Sequence, residues 1–297
     1  MEVAGVTPES ISALALSHAH SDHTGGLPAL LERRPGLPVY AHPDLPRERF
    51  SQRGGRLITR GPSLGYEALS EQADLRLSAA PQEMLPGVWT SGEISERPEP
   101  EGRSPYHVVR QGDGWVADPY RDDMALIVES AQGLVLVCGC CHAGLLNTLA
   151  HVQRTFPGRG ELVAVIGGTH LAHADEAHMR RLVQVLQREL GARVTVLAHR
   201  TSPGALRLSA AGVKMDFTPI TDSKGLAKAI AGHDAVFHLA FGSYGSPGDM
   251  RRTTIDGTRA MIDAALDDKP AAISTLEELL SADDTEFPER AEAQTLL

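Results

Sequence analysis

Ser17-His18-Ala19-His20-Ser21-Asp22-His23-Thr24-Gly25-Gly26-Leu27 is the stretch on which the reading of this chain turns. It sets three imidazoles and a carboxylate close together, at His18, His20, Asp22 and His23. Leu14, Ala15 and Leu16 before them read as the end of a buried strand, and Gly25-Gly26 break the chain before a helix. A turn leaving a strand lets side chains so spaced converge on one point. Imidazole and carboxylate are the ligands that borderline metals such as zinc prefer. Four of them exceed what one open catalytic zinc uses when further ligands are still to come, so the spacing predicts two neighbouring ions. A His-rich surface turn is the plain alternative. The strand before and the glycines after weigh against it.

Four more segments follow in order: Trp89-Thr90-Ser91-Gly92-Glu93-Ile94, Asp122-Asp123-Met124-Ala125-Leu126, Gly139-Cys140-Cys141-His142-Ala143-Gly144 and Gly167-Gly168-Thr169-His170-Leu171. With His-x-His-x-Asp-His behind an apolar strand, the set resembles the metallo-β-lactamase fold superfamily. Within it, the order resembles the dihydropterin ribofuranosyl-aminobenzene phosphate synthase-like metallohydrolases, over about residues 5–190. The resemblance implies an α/β fold, an αββα sandwich, and metal-assisted hydrolysis. It implies that His18, His20 and His142 hold one zinc ion, and Asp22, His23 and His199 a second. The ions would bring a bridging water's pKa towards neutrality and so supply hydroxide. Asp22 would orient that water or carry a proton, and His170 would stabilise charge on the substrate oxygen. The substrate implied is a small molecule of ester, lactone, thioester or phosphoester type. The branch points to a phosphorylated pterin, but a fold does not fix a substrate.

His142 also stands on its own terms, at the end of a strand and between glycines that let the backbone turn. The family usually has serine where Cys141 stands; a buried, inert thiol is the preferred reading over a metal ligand. Cys138, Cys140 and Cys141 sit too close together for a disulfide framework.

The chain has 28 Lys plus Arg against 38 Asp plus Glu among 297 residues, which disfavours a nucleic-acid role needing a basic face. Nine acidic and two basic residues lie between Asp267 and Leu297, carrying seven of the ten net negative charges. No apolar run reaches membrane-spanning length, and no basic-then-apolar leader opens the chain, so the expectation is a cytoplasmic protein without a membrane partner.

Thr7 to Ile11 reads as a short helical lead-in to the metal strand. The family places two or three strands before this point, so the sandwich is expected to be incomplete at its N-terminus, with an exposed sheet edge. A truncated start, or an oligomer covering that edge, would account for it. Helices are expected from Leu27 to Arg33, from Leu145 to near Phe156, and over Met179 to Leu190 with Asp175 as cap. Strands are expected at Val39-Tyr40-Ala41, Leu75-Arg76-Leu77, Val88-Trp89-Thr90, Met124–Glu129, Leu134–Cys138 and Leu162–Ile166. Residues 47–120 read mostly as loops shaping a substrate mouth. His42 is either near substrate or a surface-turn histidine. For Tyr106, His107 and Trp115, ordinary packing is the preferred reading. His173 and His178 are expected to be unrelated to the metals.

Beyond Gly191 a second resemblance begins. Gly191–Leu197, Gly212–Asp216, Leu226–Ile230, Asp234–Ala240 and Ile255–Thr258 are similar to part of an extended short-chain dehydrogenase, or NAD-dependent epimerase. No glycine-rich pyrophosphate loop precedes Gly191, and Tyr244 is followed four residues on by Gly248 rather than lysine, so dehydrogenase activity is not expected. His199 lies where both readings overlap; its sequence His-Arg-Thr-Ser departs from the His-Cys-Thr-Gly of the metallohydrolases. The expected organisation is a metal-binding domain over 1–190, a partial Rossmann-like segment over 191–266, and an acidic tail over 267–297. An NAD(P)-binding fragment, and a metal-binding remnant without turnover, are the alternative functions.

Overall fold

The computed structural model describes residues 7–131, 133–171, 174–185 and 213–231, with a few further positions between 187 and 260. After a single 3-10 turn at Pro8–Ser10, β1 (Leu14–Ala15) pairs in parallel with β2 (Leu37–Ala41), and β2 in parallel with β5 (Ala73–Leu77). The helix α1 (Ser21–Thr24) and the helix α2 (Leu27–Arg33) lie between β1 and β2. A second sheet runs in the order β12 (Leu162–Gly167), β11 (Gly133–Cys138), β10 (Ala125–Ser130), β7 (Val88–Thr90) and β6 (Glu83–Leu85). In it β10 and β11 form an antiparallel hairpin, while β11 and β12 are parallel. The helix α4 (Leu145–Thr155) follows β11, and α5 (Glu176–Gln184) follows β12.

Side chains alternate across each strand, and the alternation sorts them into layers. In β2, Val39 packs with Leu27, Leu30 and Leu31 of α2, while its neighbour Tyr40 packs with Ala13 and Met84. In β10, Ala125 and Ile127 join Leu145, Leu149 and Val152 of α4, while Leu126 lies against the Tyr40 group. Each sheet thus carries a helix on its outer face and meets the other sheet on its inner one, an α/β sandwich of αββα order. β1 and β5 are the outer strands of the first sheet among the described residues.

One expectation is overturned. Within residues 47–120 lies a four-stranded antiparallel sheet, β4 (Arg56–Thr59), β3 (Arg49–Arg53), β8 (His107–Gln111) and β9 (Gly114–Ala117). Its strands are short, their apolar residues come in adjacent pairs such as Leu57-Ile58 and Val108-Val109 rather than alternating, and every residue of β4 is exposed, so no apolar alternation announces it. A helix α3 (Tyr66–Gln72) also falls in this stretch.

In the C-terminal part, β13 (Thr195–Leu197) and β14 (Lys214–Asp216) are parallel, and a helix α6 (Ser223–Ile230) follows, capped by Asp222. Residues 261–297 lie outside the described part. No helix among the described residues is long and apolar enough to cross a membrane.

Leu136 is fully buried between β11's sheet and α4. Leu136→Ala is expected to lower stability by about 2–5 kcal/mol through lost burial and a cavity. Denaturant unfolding checks this, and a loss well under about 1 kcal/mol would contradict the packing described.

Candidate metal centre

Three strand ends supply the site. β1 runs into Ser17–His23, β11 into Gly139–His142, and β12 into Gly168–His170. A fourth segment, Asp118–Asp123, leads from β9 back into β10.

His18, His20 and His142 are buried, with one ring nitrogen of each lying within 4.8 Å of the others. His18 Nε2 and His20 Nδ1 are 3.1 Å apart. Hydrogen bonds fix the tautomer at His142: Nδ1 donates to the Gly102 carbonyl at 2.8 Å, leaving Nε2 as the lone-pair nitrogen. That nitrogen is buried without a hydrogen-bond partner among the described residues. A buried acceptor normally finds a donor, and three converging imidazoles with one left open fit a divalent cation of the zinc type. Burial holds all three rings neutral: it lowers His142 to about 2 and His20 to about 3, and takes His18 well below its ordinary value. Neutral imidazole is the form that ligates metal.

Two neighbouring carboxylates brace the ligand loops. Asp122 Oδ2 accepts from the Ala19 amide at 2.8 Å, between His18 and His20. Asp123 Oδ2 accepts from the Ala143 amide at 2.8 Å, beside His142. Met124 N donates to Ser17 O at 2.8 Å, closing the frame. Asp122 in turn lies 2.7 Å from Nη2 of Arg49, a fully buried arginine whose Nε lies 3.3 Å from Asp118. Two glycines permit the close approaches. A side chain at Gly139 would fall on Ser17, and one at Gly102 would come within 2.8 Å of His170 Cβ.

Beside the three-histidine group, Ser17 Oγ lies 3.0 Å from His18 Nδ1 and 3.5 Å from His23 Nδ1. His23 Nε2 lies 3.1 Å from Cys140 Sγ and 3.7 Å from Asp22 Oδ2. The structure therefore brings His18, His20, His23 and His142 together, with Asp22 exposed at the mouth. His170 stands beside them, its ring 4.3 Å from that of His142. His199 and His173 lie outside the described residues.

Several residues depart from expectation. His42 is not a surface-turn residue; it is buried, with Nε2 3.3 Å from Glu93 and Nδ1 accepting from the Asp44 amide. His107 is not ordinary packing: its ring meets His20 edge-on at 4.7 Å, and burial lowers it to about 4. Tyr106 and Trp115 do pack elsewhere, against Arg53 and Phe50. Cys141 is buried, 3.4 Å from Thr148 Oγ1, and fits an inert thiol. Tyr120 carried no sequence signal. It stacks on His142 at 4.1 Å, and its hydroxyl is 2.9 Å from His107 Nδ1. Tyr120, Cys141 and His170 all adopt positive φ, an uncommon backbone for residues other than glycine and one that concentrates at functional sites.

Residues 1–138 match the family model of the metallo-beta-lactamase superfamily. The chain is 29% identical over 223 residues to 7,8-dihydropterin-6-methyl-4-(beta-D-ribofuranosyl)-aminobenzene-5'-phosphate synthase of Methanocaldococcus jannaschii, covering 73% of this chain and 75% of that protein. A short match, 61% identical over 33 residues, is to a hydroxyacylglutathione hydrolase of Xylella fastidiosa, covering 11% of this chain and 13% of that one. The crystal structure of Tm1679, a metal-dependent hydrolase of the beta-lactamase superfamily, superposes with a TM-score of 0.53 at 22% identity, over 68% of this chain and 74% of that chain. The α/β sandwich is thus metallo-β-lactamase-like.

Two tests follow from the bracing and the burial. Asp122→Ala leaves Arg49 buried with one carboxylate fewer and frees the Ala19 amide; a loss of about 3–5 kcal/mol is expected in denaturant unfolding. The second concerns pH. His18, His20, His107 and His142 take up protons in the unfolded chain below about pH 6.5 but not in the fold, so stability present above that pH falls as it drops. Asp122 and Asp123, raised by burial, act in the opposite sense, two groups against four. The melting temperature of chelator-stripped protein is expected to fall from pH 6.5 to pH 5, and a rise would contradict the four neutral rings.

Proposed function

We propose that this metallo-β-lactamase-like chain is a zinc-dependent hydrolase of a small ester, lactone, thioester or phosphoester. The observation that carries the reading is the buried triangle of His18, His20 and His142, neutral, mutually close, and with His142 Nε2 left open. These three would hold one zinc ion; Asp22 and His23 would contribute to a second, with His199 retained as its further candidate ligand. Bound zinc would supply an activated water and polarise the substrate's oxygen. The chain's own groups do the rest. Gly102 sets the His142 tautomer, Ser17 hydrogen-bonds His18, and Asp122 and Asp123 fix the two loops against each other. Asp22, exposed at the mouth, is placed to orient water or take a proton from it. His170 lies on the His142 side and would meet charge developing on the substrate oxygen.

The likeness to a pterin-pathway synthase supports a phosphorylated aromatic substrate, and the short likeness to a hydroxyacylglutathione hydrolase supports a thioester. We place the protein in the cytoplasm, with residues 1–190 as the catalytic domain and 267–297 as an acidic tail; an oligomer would cover the edge of β1. A second reading is favoured by the parallel pair β13 and β14 followed by α6, which suits a partial Rossmann-like, NAD(P)-binding segment over 191–266.

The test is metal content and turnover together. Purified protein is expected to carry about two zinc ions per chain and to hydrolyse at least one member of an ester, lactone, thioester and phosphoester panel. Chelation should abolish turnover, and zinc should restore it. His142→Ala should lose the first ion and reduce turnover by at least about 100-fold. A fully folded protein that takes up no zinc would overturn the reading, and NAD(P)H fluorescence enhancement on binding would favour the second one.

A further inference from the structure

The geometry points to Cys140 as a ligand of the second cation, its Sγ joining His23 Nε2 in a mixed sulfur and nitrogen site. This rests on the metallohydrolase reading above and adds a donor to it.

His23 Nε2 is the centre of the arrangement, 3.1 Å from the thiol sulfur and 3.7 Å from the Asp22 oxygen. With metal–ligand distances of about 2.0–2.3 Å and tetrahedral angles, neighbouring donors around zinc stand about 3.4–3.6 Å apart. The observed separations bracket that spacing. The His23–Cys140 pair therefore needs only a small opening to share an ion, and one donor atom each of His18, His23 and Cys140 lies within 4.8 Å of the others.

The tautomer of His23 agrees. Ser17 Oγ has two lone pairs, and the Nδ1 atoms of His18 and His23 both approach it. With both Nδ1–H groups donating to that oxygen, His23 Nε2 is left as a lone pair aimed at Cys140. Burial lowers its pKa, and the neighbouring Asp22 carboxylate opposes that shift. The one Ser17 hydroxyl thus contacts a ring of each group, His18 and His23.

Cys140 differs from its neighbours in where it points. Cys138 and Cys141 are fully buried in the sheet and helix core, whereas Cys140 is partly exposed on the site's face. Gly139 makes this possible, since it lets the strand end lie on Ser17 with no side chain between. On ligation the thiol gives its proton to solvent and binds as thiolate. A thiolate donor makes the position softer than one of nitrogen and oxygen alone. It should favour zinc, cobalt or cadmium over magnesium or manganese.

The test uses the full-length protein, chelator-stripped under reducing conditions and titrated with cobalt(II). The expected spectrum has visible ligand-field bands and a near-ultraviolet thiolate-to-cobalt charge-transfer band that appears with the second equivalent. Cys140→Ser should lose that band and bind the second ion at least about tenfold more weakly, while keeping the visible bands of the first. Cys141→Ser should keep the near-ultraviolet band. As a check that needs no variant, zinc should slow alkylation of Cys140 at least about tenfold, mapped by mass spectrometry. Cobalt binding without the charge-transfer band, a band that survives Cys140→Ser, or an unchanged alkylation rate would each overturn the Cys140 assignment and leave the hydrolase reading standing. A protein that binds no cobalt would overturn both.

Discussion

Two adjacent carboxylates hold this site together. Asp122 and Asp123 stand just before β10, at the end of a turn closed by the Asp123 amide on the Tyr120 carbonyl. One reaches the Ala19 amide in the first histidine loop, and the other the Ala143 amide in the second. Loops from two different sheets are therefore set against each other by one dipeptide. A buried carboxylate without partners would be costly, and the fold surrounds these with backbone amides and, on the Asp122 side, the Arg49 guanidinium. The four-stranded sheet that carries Arg49 and His107 is thereby tied to the candidate metal centre, although no strand of it carries His18, His20 or His142.

The same burial that makes the carboxylates demanding makes the histidines useful. Solvent exclusion disfavours the charged imidazolium, so His18, His20, His107 and His142 sit side by side as neutral rings. Four protonated rings at these distances would repel. Four neutral ones present lone pairs, and the protons they retain are committed to fixed acceptors such as the Gly102 carbonyl. Preorganisation here is a matter of where each proton is held. Tyr120, stacked on His142 and hydrogen-bonded to His107, completes the packing on the remaining side.

Much of this could be read from the chain directly. The spacing of His18, His20, Asp22 and His23 behind Leu14-Ala15-Leu16 announces a metal turn because ligand chemistry and strand geometry are both local. The helices α2, α4 and α5, the hairpin of β10 and β11, and the strand β12 follow from apolar periodicity, and the Asp175 cap from its side-chain chemistry. His142 was legible because glycines flank it at a strand's end. These are properties of a few neighbouring residues, so they survive without knowledge of the fold.

The tertiary structure decided the rest. The strands β3, β4, β8 and β9 are short and lack apolar alternation, and only their pairing defines them. His42 and His107 look alike in sequence, yet one is drawn to Glu93 and the other is laid against His20. Cys140 and Cys141 are neighbours, and the turn at the end of β11 sends one thiol to His23 and the other into the core beside Thr148. Sequence spacing determined which donors exist and that a metal turn is built from them. Which donors meet was settled by strand pairing and loop bracing across 100 residues or more, as between Ala19 and Asp122, because long-range contact has no local signature.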